Sequence, residues 1–422
     1  MKVSLPVNTI FKPSNLSMLA VAASFVAWIF PSFDVLQKGF DSASRMDLNS
    51  CVILALWYLL IFLSFTAGQQ LGSLPILGKA RPIDKLIDLD HGERVYYAFT
   101  LLSTLGIFAM LAEIFRTMSL QEAFLRISLG QVNALKEALY EDYSIGLPSL
   151  RYLILYSASF AAYRIIRLKQ YRLLNLFNLF MLALSAFLSF RLILIAALVA
   201  TSFLLSRGKR AVKLSVSKIA LATSLLFLIL SALNISRNAG YYEQNHLSFW
   251  LAGFNEIDAY LGTPFQAAMG SANHLDQLAA AGLGNGTLGG EPYRQYVDLG
   301  VNYMTNSAFV YLPQQMGFFA WPYICALCFT MGLVFELLAS WGRTVFLLPC
   351  GAILYASAEL WRINLYAQGT FIVWFVIGIG LPASLLFARQ LSRFLGRIYR
   401  VPGGPDVHPP MAPLESVRHN LP

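Results

Sequence analysis

Four arginines, Arg191, Arg237, Arg294 and Arg362, stand at or just beyond the ends of apolar stretches of the chain. A planar guanidinium grips phosphate oxygens through two parallel hydrogen bonds, whereas a lysine ammonium acts as a point charge. Arginines gathered at one membrane boundary therefore suit a lipid-linked diphosphate, whose charge lies at that depth. The same part of the chain supplies carboxylates, Glu243 in "YYEQNH" and Glu256 and Asp258 in "FNEIDAYLGTPFQAA". A carboxylate beside a sugar hydroxyl can serve as general base, while arginines stabilise a departing diphosphate that needs no proton. Tyr242 and Tyr260 belong to a crowd of aromatics that could stack on sugar rings. Plainer roles compete with each of these. A boundary arginine can snorkel to head groups or pair with a nearby acid, and Arg362 has Glu359 one turn earlier. Loop carboxylates are commonly just solvated, and Tyr and Trp favour membrane interfaces in any case.

The elements that must position these groups are apolar. The 422 residues are 57% hydrophobic and 13% charged, with a mean hydropathy of +0.59, far from the roughly 25% charged residues of a soluble domain. Apolar blocks of about 17–25 residues recur, each long enough to cross about 30 Å of hydrocarbon as a helix. They predict about ten spans, near 16–33, 51–67, 96–116, 150–166, 173–190, 192–206, 219–233, 318–340, 344–357 and 370–388. The expected fold is all-α, a single polytopic membrane domain over residues 1–388. No cleavable signal peptide precedes the first block. With both termini in the cytoplasm, about two-thirds of the 31 Lys and Arg residues fall inside, as the positive-inside rule asks. The net charge of +9 thus reads as cytoplasmic loops near anionic lipid, not as a nucleic-acid surface. The four arginines then open on the outer face.

Two outer segments are long. The first, 118–147, begins "SLQEAFLRI", where Ser119 and Glu122 fit a capping box and apolar residues recur at helical spacing, predicting an amphipathic helix on the membrane surface. The second, 234–306, is rich in Gly, Asn, Gln and Tyr and reads as a functional loop. Residues 389–402 form a basic amphipathic segment at the inner leaflet, and the Pro-rich 403–422 reads as a disordered tail. Cys325 and Cys328 spell a CxxC inside a span and read as packing residues; no metal site is expected. Asp88-Leu89-Asp90 lies in a short cytoplasmic loop, where Asp90 and Glu93 are expected to cap the third span. Few ionisable residues fall at mid-depth, which argues against an ion-coupled transporter.

The stretch from "RNAGYYEQNHLSFWLAGFNEIDAYLGTPFQAA" to "VNYMTNSAFVYLPQQMGFFAWPYI" resembles the oligosaccharide repeat unit polymerases, the O-antigen polymerase family. The resemblance rests on Arg237; Tyr260, Gly262 and Pro264; Asn302 and Thr305, followed by Asn306; Gly317; and the "SFRLILIAAL" opening of a span around Arg191. It covers roughly 187–331. It implies a GT-C-like architecture in a bacterial inner membrane and a metal-independent glycosyl transfer with no cofactor. One undecaprenyl-diphosphate-linked oligosaccharide would be passed onto another on the periplasmic face, alongside a flippase and a chain-length regulator. Substrate-binding residues would be Arg191, Arg237, Arg294, Arg362, Tyr242, Tyr260 and Asn306, with Glu256 or Asp258 as base. O-antigen ligases share the architecture but typically begin the corresponding segment with His-Asn, and "TNSAFVYL" has no histidine. A ligase, a flippase for the same lipids, and a structural subunit of an assembly complex are the other readings.

Overall fold

The computed structural model describes residues 10–29, 47–74, 89–129, 131, 133–141, 146–188, 192–207, 224–225, 227–229, 231–232, 249–284, 305, 307–340 and 344–398. Among the described residues every regular element is helical. In chain order these are α1 (Pro13–Ile29), α2 (Leu48–Gly72), α3 (Leu89–Thr117), α4 (Leu120–Ser128) and α5 (Asn133–Glu141). A 3-10 segment (Leu147–Leu153) leads into α6 (Ile154–Leu168), then α7 (Leu173–Leu188), α8 (Ile193–Ser206), α9 (Phe249–Asn273) and α10 (Leu275–Gly284). The last group is α11 (Ala308–Met316), α12 (Ala320–Ser340), α13 (Thr344–Glu359) and α14 (Gly369–Ile398).

Among the described residues four stretches, Leu48–Gly72, Gly92–Thr117, Ala308–Ser340 and Gly369–Ala388, are long and apolar enough to cross a membrane, and α1, α7, α8 and Val345–Glu359 are apolar but shorter. Their surfaces fit a hydrocarbon surround. Val52, Leu56, Leu59 and Leu63 lie exposed along one face of α2, while Leu54, Trp57, Ile61 and Phe65 are buried on the other. Leu101, Leu105 and Phe108 are likewise exposed on α3. A helix that turns leucine outward over several turns is built for an apolar solvent rather than for water.

Small residues set the closest contact. Gly68 and Gly72 on α2 face α12, where a Cβ on Gly68 would overlap the Phe329 carbonyl oxygen and one on Gly72 would sit 2.8 Å from Glu336 Cβ. Gly332 on α12 meets the Phe65 backbone in the same way. Such Gly-x-x-x-Gly spacing lets two helix backbones touch, which is how helices associate without help from water.

Polar contacts tie the helices at both ends. At one end Arg164 of α6 is buried, stacks 4.4 Å over the Tyr96 ring and reaches Glu93 at 3.7 Å, to which Arg172 also pairs at 3.3 Å. Helix α3 begins at Leu89, so Asp90 and Glu93 lie inside it and Glu93 pairs across helices, a correction to the expected cap. At the other end Asp47 caps α2, accepting from the Ser50 amide at 3.1 Å. Ser119 caps α4 as expected, accepting from the Glu122 amide at 3.1 Å, and the helix leaves Leu120, Phe124 and Leu125 exposed. The last helix runs unbroken from Gly369 to Ile398, so the basic segment expected at 389–402 continues the preceding helix through Ile398.

The largest departure from the sequence reading is α9. It occupies the middle of the 234–306 segment expected as an outer loop. Every residue from Gly262 to Met269 is buried, so this part of the helix is enclosed on all sides, as in a bundle interior. It runs parallel to α1: Ser24 Oγ donates to the Leu261 carbonyl at 2.7 Å, and Trp28 Nε1 donates to Gln266 Oε1. Pro264 lies within the helix, and the Tyr260, Gly262 and Pro264 match is helical.

Candidate functional site

The polar groups of the Asp47 end meet where α9 passes the end of α13. Glu359 is the last residue of α13, and the chain turns at once: the amides of Arg362 and Ile363 both donate to the Glu359 carbonyl, at 2.8 and 2.7 Å. That turn sends the Arg362 side chain back to its own helix end, where Nε donates to Glu359 Oε2 at 2.9 Å. The two side chains are 11% and 8% exposed, so the pair is sheltered from water. The plainer role noted for Arg362, pairing with the acid one turn earlier, is thus realised.

Tyr260 of α9 completes the cluster. Its hydroxyl lies 3.2 Å from each Glu359 carboxylate oxygen, and its ring lies 4.0 Å beneath the Arg362 guanidinium carbon. Cation, ring and carboxylate therefore form a closed triangle across two helices and a turn. Desolvation strengthens both the cation–π and the ionic contact. Trp361 packs edge-on to Tyr260, centroids 6.4 Å apart. The turn itself is stitched to the segment before α11, with Thr305 Oγ1 donating to the Arg362 carbonyl at 2.9 Å and the Ala308 amide to the Leu360 carbonyl at 3.2 Å. Ser307 caps α11 by accepting from the Val310 amide at 3.1 Å, and Gly317 ends it at φ 56°, a conformation that favours glycine.

Several buried polar atoms here have no partner among the described residues. Arg362 keeps Nη2 unpaired although Nε is bonded, and Asn364, 5% exposed, has neither its Oδ1 nor its Nδ2 satisfied. Thr263 Oγ1, one turn beyond Tyr260, is also unsatisfied. Buried polar groups are nearly always hydrogen-bonded, so a concentration of orphans marks a place where a polar ligand or water belongs.

Besides Arg164, a further arginine that sequence reading passed over is buried. Arg151 in the 3-10 segment is fully buried, donating to the Pro148 carbonyl and the Tyr152 hydroxyl, each at 2.8 Å. The Tyr152 carbonyl accepts from Trp374 Nε1 at 2.7 Å, and Trp374 packs 6.2 Å from Tyr355, so Arg151 is linked through Tyr152 and Trp374 to the Tyr355 ring. An arginine at the start of an apolar run was its only sequence signal.

Of the residues expected at a site, the structure brings together Tyr260 and Arg362, and Thr305, named in the resemblance, bonds to the Arg362 carbonyl. Asp258 is half-buried on α9, two positions before Tyr260 and so about 200° away around the helix. Glu256 falls within α9, its side chain outside the described residues. Arg191, Arg237, Arg294, Tyr242, Glu243, Asn302 and Asn306 also lie outside the described residues. No family model matches the chain, and neither a curated protein nor a solved structure matches it.

Proposed function

We propose that the protein is a membrane glycosyltransferase that joins undecaprenyl-diphosphate-linked oligosaccharide repeat units into a bacterial surface polysaccharide, on the outer face of the inner membrane. The observation that carries this reading is the guanidinium of Arg362, sheltered at the end of an apolar helix bundle, oriented by Glu359 and Tyr260, and left with an unpaired Nη2. An anionic group entering there meets a positive charge already desolvated and oriented, which costs no reorganisation during reaction. A diphosphate on a polyprenyl chain would bring its charge to the bundle's end while its tail stays in hydrocarbon. About ten spans, a GT-C-like architecture and cytoplasmic termini accompany this reading. Arg191, Arg237 and Arg294 would complete the clamp, with Tyr242, Tyr260 and Asn306 beside the sugars. A flippase and a chain-length regulator are the expected partners. No proton is needed by the leaving diphosphate, whereas the acceptor hydroxyl must lose one.

The direct test is to incubate the purified protein with a defined lipid-linked repeat unit and resolve the products by size. A ladder supports polymerisation; transfer of a preformed chain in one step would mark a ligase, and no turnover would mark a carrier or structural subunit. Arg191→Ala and Arg237→Ala should each abolish chain growth while the protein remains in the membrane, and Lys at either position should rescue poorly. Wild-type chain lengths in either alanine variant, read on a polysaccharide gel, would remove those arginines from the clamp.

A further inference from the structure

Glu359 is placed to do more than neutralise Arg362. It is the carboxylate that touches both Arg362 and Tyr260, whereas Asp258 points around α9 from that cluster. Its contact with Arg362 is through Nε alone, and Nη2 stays unpaired, so an incoming oxyanion can take hold of the guanidinium before the ion pair breaks. Arginine prefers a two-pronged grip on phosphate, and a second phosphate oxygen can gain that grip by displacing Glu359 from Nε.

From this sequence of contacts we infer that Glu359 is a displaceable counter-ion that becomes the general base when the donor diphosphate binds. The inference rests on the glycosyltransferase reading above. In the transfer step the acceptor hydroxyl oxygen forms a bond to the donor's anomeric carbon. The bond from that carbon to the phosphate oxygen breaks, and its electron pair leaves with undecaprenyl diphosphate. The hydroxyl proton passes to Glu359, and Arg362 holds the charge released on the diphosphate. Tyr260 remains bonded to the carboxylate and keeps it near the guanidinium it has left. Coupling base to donor in this way would prevent the carboxylate from acting while the diphosphate site is empty.

The test uses the full chain in lipid nanodiscs. Lipid-linked oligosaccharides extracted from cells lacking the gene serve as substrate, and undecaprenyl diphosphate alone serves as binding probe. Glu359→Gln preserves an acceptor for Arg362 Nε but removes the base. It should lower elongation by about 10²- to 10⁴-fold, the usual contribution of a general base, while holding undecaprenyl diphosphate at least as tightly as the wild type. Glu359→Asp, which keeps the charge and withdraws it by one methylene, should lower elongation less and leave binding unchanged. A melting curve on each variant verifies folding. Elongation by Glu359→Gln within about threefold of wild type would overturn the assignment, as would parallel loss of binding and elongation in both variants, the signature of a group that only holds Arg362 in place. Failure of the wild-type protein to elongate the extracted lipids or to bind undecaprenyl diphosphate would instead refute the glycosyltransferase reading and take the assignment with it.

Discussion

Arg362→Ala is expected to end chain growth and to destabilise the protein by about 3–5 kcal/mol, the usual cost of leaving one member of a buried ion pair alone. Glu359, 8% exposed, would keep the Tyr260 hydroxyl and the neighbouring Tyr355 hydroxyl but lose its cation. Loss of activity in that variant alone could therefore report either a missing ligand for the diphosphate or a weakened fold. The double variant Arg362→Met with Glu359→Gln separates the two. Replacing a buried ion pair by groups of similar size without charge is often neutral or stabilising, so the melting temperature should return close to the wild-type value while elongation stays absent. Recovery of elongation in the double variant would show that the pair serves the fold alone. Arg362→Lys should keep much of the stability but little of the activity, because an ammonium can neither lie flat on Tyr260 with its Nε bonded nor offer a second prong to phosphate.

Gly68→Leu is expected to have the largest effect on assembly. At Gly68 even a methyl group would overlap the Phe329 carbonyl oxygen and crowd the Leu333 amide nitrogen, backbone atoms that cannot turn aside. Separating α2 from α12 to admit leucine would also open the facing contact at Gly332. A loss beyond about 4–5 kcal/mol follows, in the range that marks a disrupted core. The expected result is aggregated protein on size-exclusion chromatography after detergent extraction. Gly380→Ala is the matched control, since a Cβ there meets nothing within 4 Å, and alanine favours helix by about 1 kcal/mol over glycine. If Gly68→Leu ran as a monodisperse peak with an unchanged melting temperature, the close backbone approach would be wrong.

The helices themselves were legible because apolar length is a local property. Each block from the first to the sixth and from the eighth to the tenth holds a described helix, while most of 219–233 lies outside the described residues. The Glu359–Arg362 pair was legible for the same reason, since three positions place two side chains on one turn. Tyr260 and Glu359 are 99 positions apart, and nothing local announces their contact. Helix α9 was misread because "NEIDAYLGTPFQAAMGSA" carries the punctuation of a loop: Gly262, Pro264 and Gly270, with polar residues between. In an enclosed helix those small residues are an advantage, because they let neighbours approach, and burial outweighed intrinsic propensity. The run Phe265, Ala267, Ala268, Met269 and Ala272 was the one signal available. The capping box at Ser119 succeeded because its chemistry is contained within four residues.

The parallel lie of α9 against α1 has a bearing on how the chain is built. Helix α1 turns Ser14, Ser17 and Ser24 inward, and the bond from Ser24 to Leu261 spans 237 positions. Until residues near 261 are translated, the Ser24 hydroxyl and the Trp28 indole lack their final neighbours. Helix α1 therefore waits for its partner while the 237 positions between them are made, and the bundle closes around it late.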